Sequence, residues 1–340
     1  MTVRTAYTQA GVDVAAGDRA VDLIRARLGL DGSDLLAGIG AFGAAMEIPD
    51  GYRRPILVTA TDGVGTKTEI AQRLGRLDTI GQDLVAMCAD DVVCHGAQPA
   101  FFLDYLAMGR VDPQRVAALV GGVASACEQI GCSLVGGETA EHPGLMDPDA
   151  FDMAGFCIGF VERDELIDGR AAQLGDVVIG LASSGLHANG YSLVRRLVED
   201  GALPLDERLL TPTRLYSSVV LRLLNELRGR NLRLGGLAHI TGGGLAGNLP
   251  RALPPNLGVQ VFPADWPEPD IFDEIRTATA MSGAEMRATF NCGIGFAAVV
   301  EPAAVDTTLA SLRESQIEAW MIGEVRPIKE LGGARYLEAG

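Results

Sequence analysis

VTATDGVGTKT, residues 58–68, reads as a buried strand that runs into an acid, two glycines and a lysine. A carboxylate (Asp62) at a strand end, glycines that let backbone approach a ligand (Gly63, Gly65), then Thr66 and the cation Lys67 together suit metal and phosphate binding. A D-G turn followed by a solvated lysine is the alternative. Lys67 and Lys329 are the only lysines among 28 basic residues, so an ordinary surface charge in this chain is nearly always an arginine. A compact ammonium is expected to matter at position 67.

Working outward, Asp78 is a plausible N-cap for a helix with the apolar face Ile80, Leu84, Cys88 and Val92. Asp83 and Asp90 lie seven residues apart and nearly align along it, with Asp91 one position round. Adjacent acids near a helix C-terminus oppose the helix dipole, a penalty that bound Mg²⁺ would remove; a solvated acidic face is the competing reading. GGETAEHPG, Gly136 to Gly144, follows the apolar CSLV and is expected to place Glu138, Glu141 and His142 on a tight loop, a merely polar turn being the alternative. Upstream, GIGAFG (Gly38 to Gly43, including Gly40 and Phe42) has neither dinucleotide-fingerprint spacing nor a G-K-[ST] ending.

In the second half, DVVIGLASS turns through Gly185-Leu186-His187-Ala188-Asn189-Gly190 into a helix beginning near Tyr191, whose free N–H groups suit an anion. His187 has a default pKa fit for acid, base or donor work, or is a structural loop histidine. Thr241-Gly242-Gly243-Gly244, between LAHI and LAGNLPRAL, forms a second candidate anion nest. Cys292 opens the strand GFAAVV without a nearby histidine and reads as a structural thiol rather than a nucleophile.

Helical spacing at 14–28, 80–93 and 116–130 interleaves with extended runs PILVTAT, FFLDYLAM, SLVGGET and FDMAGFCIGFVE. After a polar stretch at 164–175 the pattern restarts, which divides the chain into 1–169 and 170–340. Strand-like LAHIT, GVQVF, CGIGFAAVV and AWMIGEV alternate with helices near 193–199, 214–227, 246–253 and 271–278, several connections being too short for a parallel crossover. The expected class is α+β. FPADWPEPD (262–270) reads as a loop rather than a linker.

No uncharged apolar run reaches the ~18–20 residues of a membrane span, and no secretory start is recognisable, so cytoplasm is expected. A net charge of −16, from 44 acidic and 28 basic residues, argues against a nucleic-acid partner. Six cysteines without a C-x-x-C pair read as buried thiols.

The ordered set GVD, G-x-G-x-F-G, TDGVGTK, DLVAMC-x-x-D, FFLDY, LVGGETAE-x-PG, DMAGFC-x-G, SSG-x-H-x-NGYSLVR, TGGG and FNCG-x-G, running from about Tyr7 to beyond Gly323, resembles the phosphoribosylformylglycinamidine cyclo-ligases, or AIR synthetases. The resemblance implies a PurM-like fold: a homodimer whose N-terminal mixed sheets pair into a barrel, ATP near that interface, and a C-terminal α+β domain over the site. It implies that MgATP activates the formyl oxygen of formylglycinamidine ribonucleotide and that a nitrogen of the same molecule closes the imidazole ring.

Carried over by position, Asp62, Asp91 and Glu138 would be Mg²⁺ ligands, Lys67 a catalytic phosphate contact, and Gly40, Phe42, Gly43, Gly63, Gly65, Thr66 and Gly137 part of the nucleotide site. His187 (also catalytic), Asn189, Gly190, Thr241, Gly242 and Gly243 would face the ribonucleotide. Two departures stand out: an expected V-N-D reads Ala89-Asp90-Asp91, and His142 and Met146 replace common Met and Tyr. Formylglycinamidine synthetase, selenophosphate synthetase, thiamin-monophosphate kinase and a non-catalytic hydrogenase-maturation-like scaffold are the alternatives. A glutaminase domain and a Cys/Sec-Gly-x-x-Lys start are missing, which argues against the first two.

Overall fold

The computed structural model describes residues 16–17, 19–20, 23, 35–37 and 43–339. Strands β1 (Leu35–Ala37) and β2 (Ala45–Met46) form a small antiparallel pair. They precede a four-stranded mixed sheet built from β3 (Pro55–Gly63), β4 (Gln98–Met108), β5 (Ser133–Glu141) and β6 (Phe151–Glu162), in the order β3-β6-β4-β5. Only β4 and β5 run parallel.

Helices α1 (Lys67–Leu74), α2 (Ile80–Val93) and α3 (Pro113–Gln129) accompany this sheet. Strand alternation explains the packing: Ala60, Cys157 and Phe102 share a rung and join the core beneath Leu84 and Cys88 of α2. The opposite face carries Leu57, Phe156, Ile158, Leu103 and Tyr105; Leu57 is 57% and Phe156 45% exposed.

Two expectations are corrected here. Asp78 does not cap α2, whose N-cap is Thr79; its carboxylate instead accepts from Arg76 Nε at 3.1 Å. Nor is GGETAEHPG a tight loop, because the parallel ladder with β4 continues to Glu141 past an irregularity in register near Phe102 and Leu103.

The second part holds α4 (Tyr191–Glu199), α5 (Ser217–Gly229), α6 (Gly244–Asn248), α7 (Asp270–Thr279), α8 (Gly283–Thr289) and α9 (Val305–Glu314). Its strands are β7 (Val177–Ala182), β8 (Leu234–His239), β9 (Leu257–Val261), β10 (Ile294–Val300), β11 (Ala319–Pro327) and β12 (Tyr336–Glu338). They form one sheet, β12-β9-β11-β7-β10-β8, antiparallel except for β12 on β9. Separate apolar clusters pack on this sheet: Val178, Val259 and Val325 belong to one, Ile179, Leu223 and Phe296 to the other. The chain is a two-domain α+β protein with mixed sheets. Helices α8 and α9 escape the sequence reading; α8 nonetheless carries a complete capping box between Ser282 and Glu285.

The domains share a core. Tyr191, Val194, Ile271, Phe272 and Phe290 pack in the same buried cluster as Leu84, Cys88 and Phe102, which fixes the loops of one domain against the strand ends of the other. Among the described residues no helix is long and apolar enough to cross a membrane.

Candidate functional site

A cavity of about 390 Å³ opens where β3 meets β8 across this seam, and Asp91, His239, Arg251 and Asp168 are among its lining residues. Asp62, the penultimate residue of β3, is half-buried, one carboxylate oxygen accepting from the Gly63 N–H at 2.7 Å. Burial raises its pKa, the Gly63 hydrogen bond opposes that, and the charge of Asp91 adds to it. Asp91 Oδ1 lies 3.0 Å from His239 Nδ1, while His239 Nε2 is buried without a partner among the described residues. His239 stacks on Phe296, with ring centroids 6.1 Å apart.

The other two acids of α2 face protein. Asp90 is fully buried and accepts from Tyr216 N–H (3.1 Å) and Ser217 Oγ (2.6 Å). Asp83, also fully buried, accepts through Oδ1 from Thr213 N–H (2.8 Å), Thr213 Oγ1 (2.6 Å) and Lys67 Nζ (2.9 Å). The aligned pair is therefore not a solvated face: Lys67 and donors from residues 213–217 meet Asp83 Oδ1 and Asp90, while Asp83 Oδ2 is buried without a partner among the described residues. Burial pushes Asp90 up to about 6 even so. Lys67 has no exposed surface and donates also to the carbonyls of His187 (2.9 Å) and Thr211 (2.8 Å).

Register separates the carboxylates expected to act together. Asp62, Gly155, Asp104 and Gly137 share one rung; Gly63, Ala154, Tyr105 and Glu138 share the next. Asp62 and Asp104 thus point to the helix-covered face and exposed Glu138 to the other, so Glu138 is not gathered with Asp62 and Asp91. Among the described residues no three His, Cys, Asp or Glu side chains converge on a metal position. Asp104 is raised to about 7 by burial. A Cβ at Gly137 would fall 2.2 Å from its Oδ1, so only glycine fits beside it.

The two glycine loops of the second domain do meet. A Cβ on Gly242 would sit 3.4 Å from Asn189 Oδ1, and Asn248 Nδ2 donates to the carbonyls of Gly242 (3.2 Å) and Gly244 (2.9 Å). Thr241 is half-buried, and Gly242 and Gly243 are exposed. Gly190 has φ +78° and touches Phe290, so the turn into α4 demands glycine. His187 is buried against Tyr216 rather than lining the cavity; its Nε2 accepts from Ser184 N–H at 3.1 Å, and its Nδ1 has no partner among the described residues. Burial and nearby cationic groups hold it neutral. At the β3–α1 turn Gly65 is exposed and Thr66 half-buried, and Gly43 and Gly137 are exposed. Gly40 and Phe42 lie outside the described residues.

Sequence reading missed His239 and Asp104. The available signal was a histidine ending a strand against TGGG, and a single acid inside the otherwise apolar FFLDYLAM.

Two family models match, the N-terminal domain of AIR synthase related protein at residues 43–161 and the C-terminal domain of AIR synthase related protein at residues 173–333. The chain is 46% identical to the phosphoribosylformylglycinamidine cyclo-ligase of Parasynechococcus marenigrum, covering 94% of this chain and 95% of that one. Identity to the enzyme of the same name from Geobacillus kaustophilus is also 46%, with 94% and 95% covered. Among solved structures, thiamine-monophosphate kinase from Stenotrophomonas maltophilia superposes with a TM-score of 0.68 at 21% identity, covering 95% of this chain and 96% of that one. The hydrogenase maturation protein HypE in complex with ATP gives 0.66 at 18% identity, covering 97% and 92%. These distant likenesses establish the fold alone; the near-full-length identities and both matched domains place the chain in the phosphoribosylformylglycinamidine cyclo-ligase family.

Proposed function

We propose that the chain closes formylglycinamidine ribonucleotide to 5-aminoimidazole ribonucleotide in purine biosynthesis, using ATP and releasing ADP and phosphate. The observation that carries this reading is 46% identity over nearly the whole length to cyclo-ligases, with both domains matched. HypE bound to ATP, on the same fold, supports nucleotide use.

In this reading the γ-phosphoryl group goes to the formyl oxygen, a nitrogen of the same molecule attacks the activated carbon, and the oxygen leaves with phosphate. The step asks the protein for proximity and charge neutralisation rather than a nucleophile. Cys292 fits no nucleophilic role, since burial pushes its thiol up to about 12.

Magnesium fits in part. The burial-raised Asp62 beside the charge of Asp91 leaves negative potential that a cation relieves, and Mg²⁺ characteristically takes one or two carboxylates plus substrate phosphates. Asp62 and Asp91 would hold the ion, which would supply charge neutralisation on the phosphates; Glu138, on the opposite face, would act apart from them. Gly63, Gly65, Thr66, Gly137 and the loop containing Gly40, Phe42 and Gly43 would offer backbone around the nucleotide, and Asn189, Gly190, Thr241, Gly242 and Gly243 would hold the ribonucleotide. His187, buried and neutral, fits the support of its loop better than proton transfer.

The exposed Leu57 and Phe156 support pairing of two first-domain sheets in a homodimer. Light scattering on Phe156→Glu should return a monomer; an unchanged dimer would place the interface elsewhere. The activity test is ADP release and aminoimidazole formation with and without the ribonucleotide. Equal amounts of the two products support the cyclo-ligase, and ATP turnover indifferent to the ribonucleotide would point to a kinase or another synthetase of this fold.

A further inference from the structure

Lys67 stands five residues after Asp62, at the start of α1, where the sequence suggests a cation for phosphate. The side chain goes elsewhere. Its Nζ has three donors and three acceptors: Asp83 Oδ1 (2.9 Å), the His187 carbonyl (2.9 Å) and the Thr211 carbonyl (2.8 Å). It also lies 5.5 Å from the centroid of the Tyr191 ring, the first residue of α4. No donor remains for a phosphate oxygen.

The three acceptors suit the charged form, which the Asp83 carboxylate favours against the burial that lowers the lysine's pKa and raises the aspartate's. A neutral amine carries two hydrogens and a lone pair, and the lone pair would face a carbonyl or carboxylate oxygen. Asp83 balances the charge and fastens the same region a second time through the N–H and hydroxyl of Thr213. The ion pair thus grips both the loop ending at Gly190 and the segment Thr211–Thr213. At His187 the gripped backbone has φ +63°, a conformation a residue with a side chain rarely holds unaided.

We propose that Lys67, with Asp83, is a positioning residue: it holds the Gly185–Gly190 loop and the first turn of α4 at a fixed distance from the β3–α1 turn, so that the ribonucleotide is presented to the nucleotide. This rests on the cyclo-ligase reading for the identity of the ribonucleotide; the juxtaposition of the loop and the turn does not. Arginine cannot substitute, because a planar fork cannot direct three hydrogens from one atom to these oxygens.

The test uses the full-length protein and the variants Lys67→Arg, Asp83→Asn and Thr213→Val, the last deleting one hydroxyl and serving if the first two fold poorly. MgADP affinity is measured by calorimetry, amide exchange of 185–190 by mass spectrometry, and KM for each substrate by turnover. Loss of a charged hydrogen bond predicts about tenfold or greater increases in ribonucleotide KM and faster loop exchange, with MgADP affinity held within about twofold. Thr213→Val should show the same pattern more weakly. A Lys67→Arg protein that loses MgADP affinity about tenfold while Asp83→Asn keeps it would make Lys67 a phosphate contact and overturn the proposal, as would unchanged loop exchange in all three. Exchange and MgADP binding need no turnover, so a failed cyclo-ligase assay of the unmodified chain is told apart from failure of this inference.

Discussion

His239 Nδ1 lies 3.0 Å from Asp91 Oδ1, joining the end of β8 in the second domain to α2 of the first, at the wall of the cavity between them. The contact gives Asp91 a fixed orientation beside Asp62, whose pKa its charge raises. A carboxylate so fixed can meet a ligand without reorganising, which is where preorganised charge is most effective.

Asp62→Asn and Asp91→Asn should each lower turnover by about 10²-fold or more while the melting temperature moves only a few degrees, because neither carboxylate is deeply buried. His239→Gln should lose less, and the double variant Asp91→Asn/His239→Gln should be no worse than Asp91→Asn alone if the histidine acts through the aspartate. Fully additive losses in kcat/KM would show that His239 contributes independently. Near-normal turnover in Asp62→Asn would remove Asp62 from the essential set.

The helix Ile80–Val93 and the strands around Asp62 were legible because apolar period and glycine punctuation are local signals. Whether Asp83, Asp90 and Asp91 met solvent, metal or protein was not legible, since their partners Thr213, Tyr216, Ser217 and His239 lie more than a hundred residues away. Spacing along a helix shows which acids align and nothing of what faces them. Glu138 misled for a related reason: a glycine pair resembles a turn, but a parallel neighbour can carry the strand straight through it, and which face each side chain takes follows from the register. Lys67 stood out in the sequence by its rarity, but its three acceptors come from α2 and the second domain and have no trace in the local motif.

Asp104 predicts a pH dependence of stability. Burial lifts its folded pKa to about 7, above that of the unfolded chain, so between these values the native state retains the extra proton. Stability from this group is therefore present at low pH and falls as pH rises from about 4 to about 7. Asp104→Asn removes the ionisation and should be more stable than the unmodified chain at pH 8, by an amount on the order of 2–4 kcal/mol at most, the advantage vanishing by about pH 4. Thermal melts of both proteins across this range decide it; parallel curves would mean that Asp104 titrates in the folded protein where it does in the unfolded chain.

Gly190 carries two separable constraints. Its φ of +78° penalises any side chain, and a Cβ there would lie 2.2 Å from a carbon of the Phe290 ring. Gly190→Ala should therefore destabilise by about 1–3 kcal/mol from backbone strain, and more from the collision. Phe290→Leu in the same chain should recover the collision and leave the strain, so the double variant should melt between Gly190→Ala and the unmodified protein. Because Asn189 precedes this turn and α4 follows it, Gly190→Ala should also weaken ribonucleotide binding with little change in MgADP affinity. Equal weakening of both ligands would mean that the turn acts through global stability and not through the loop it shapes.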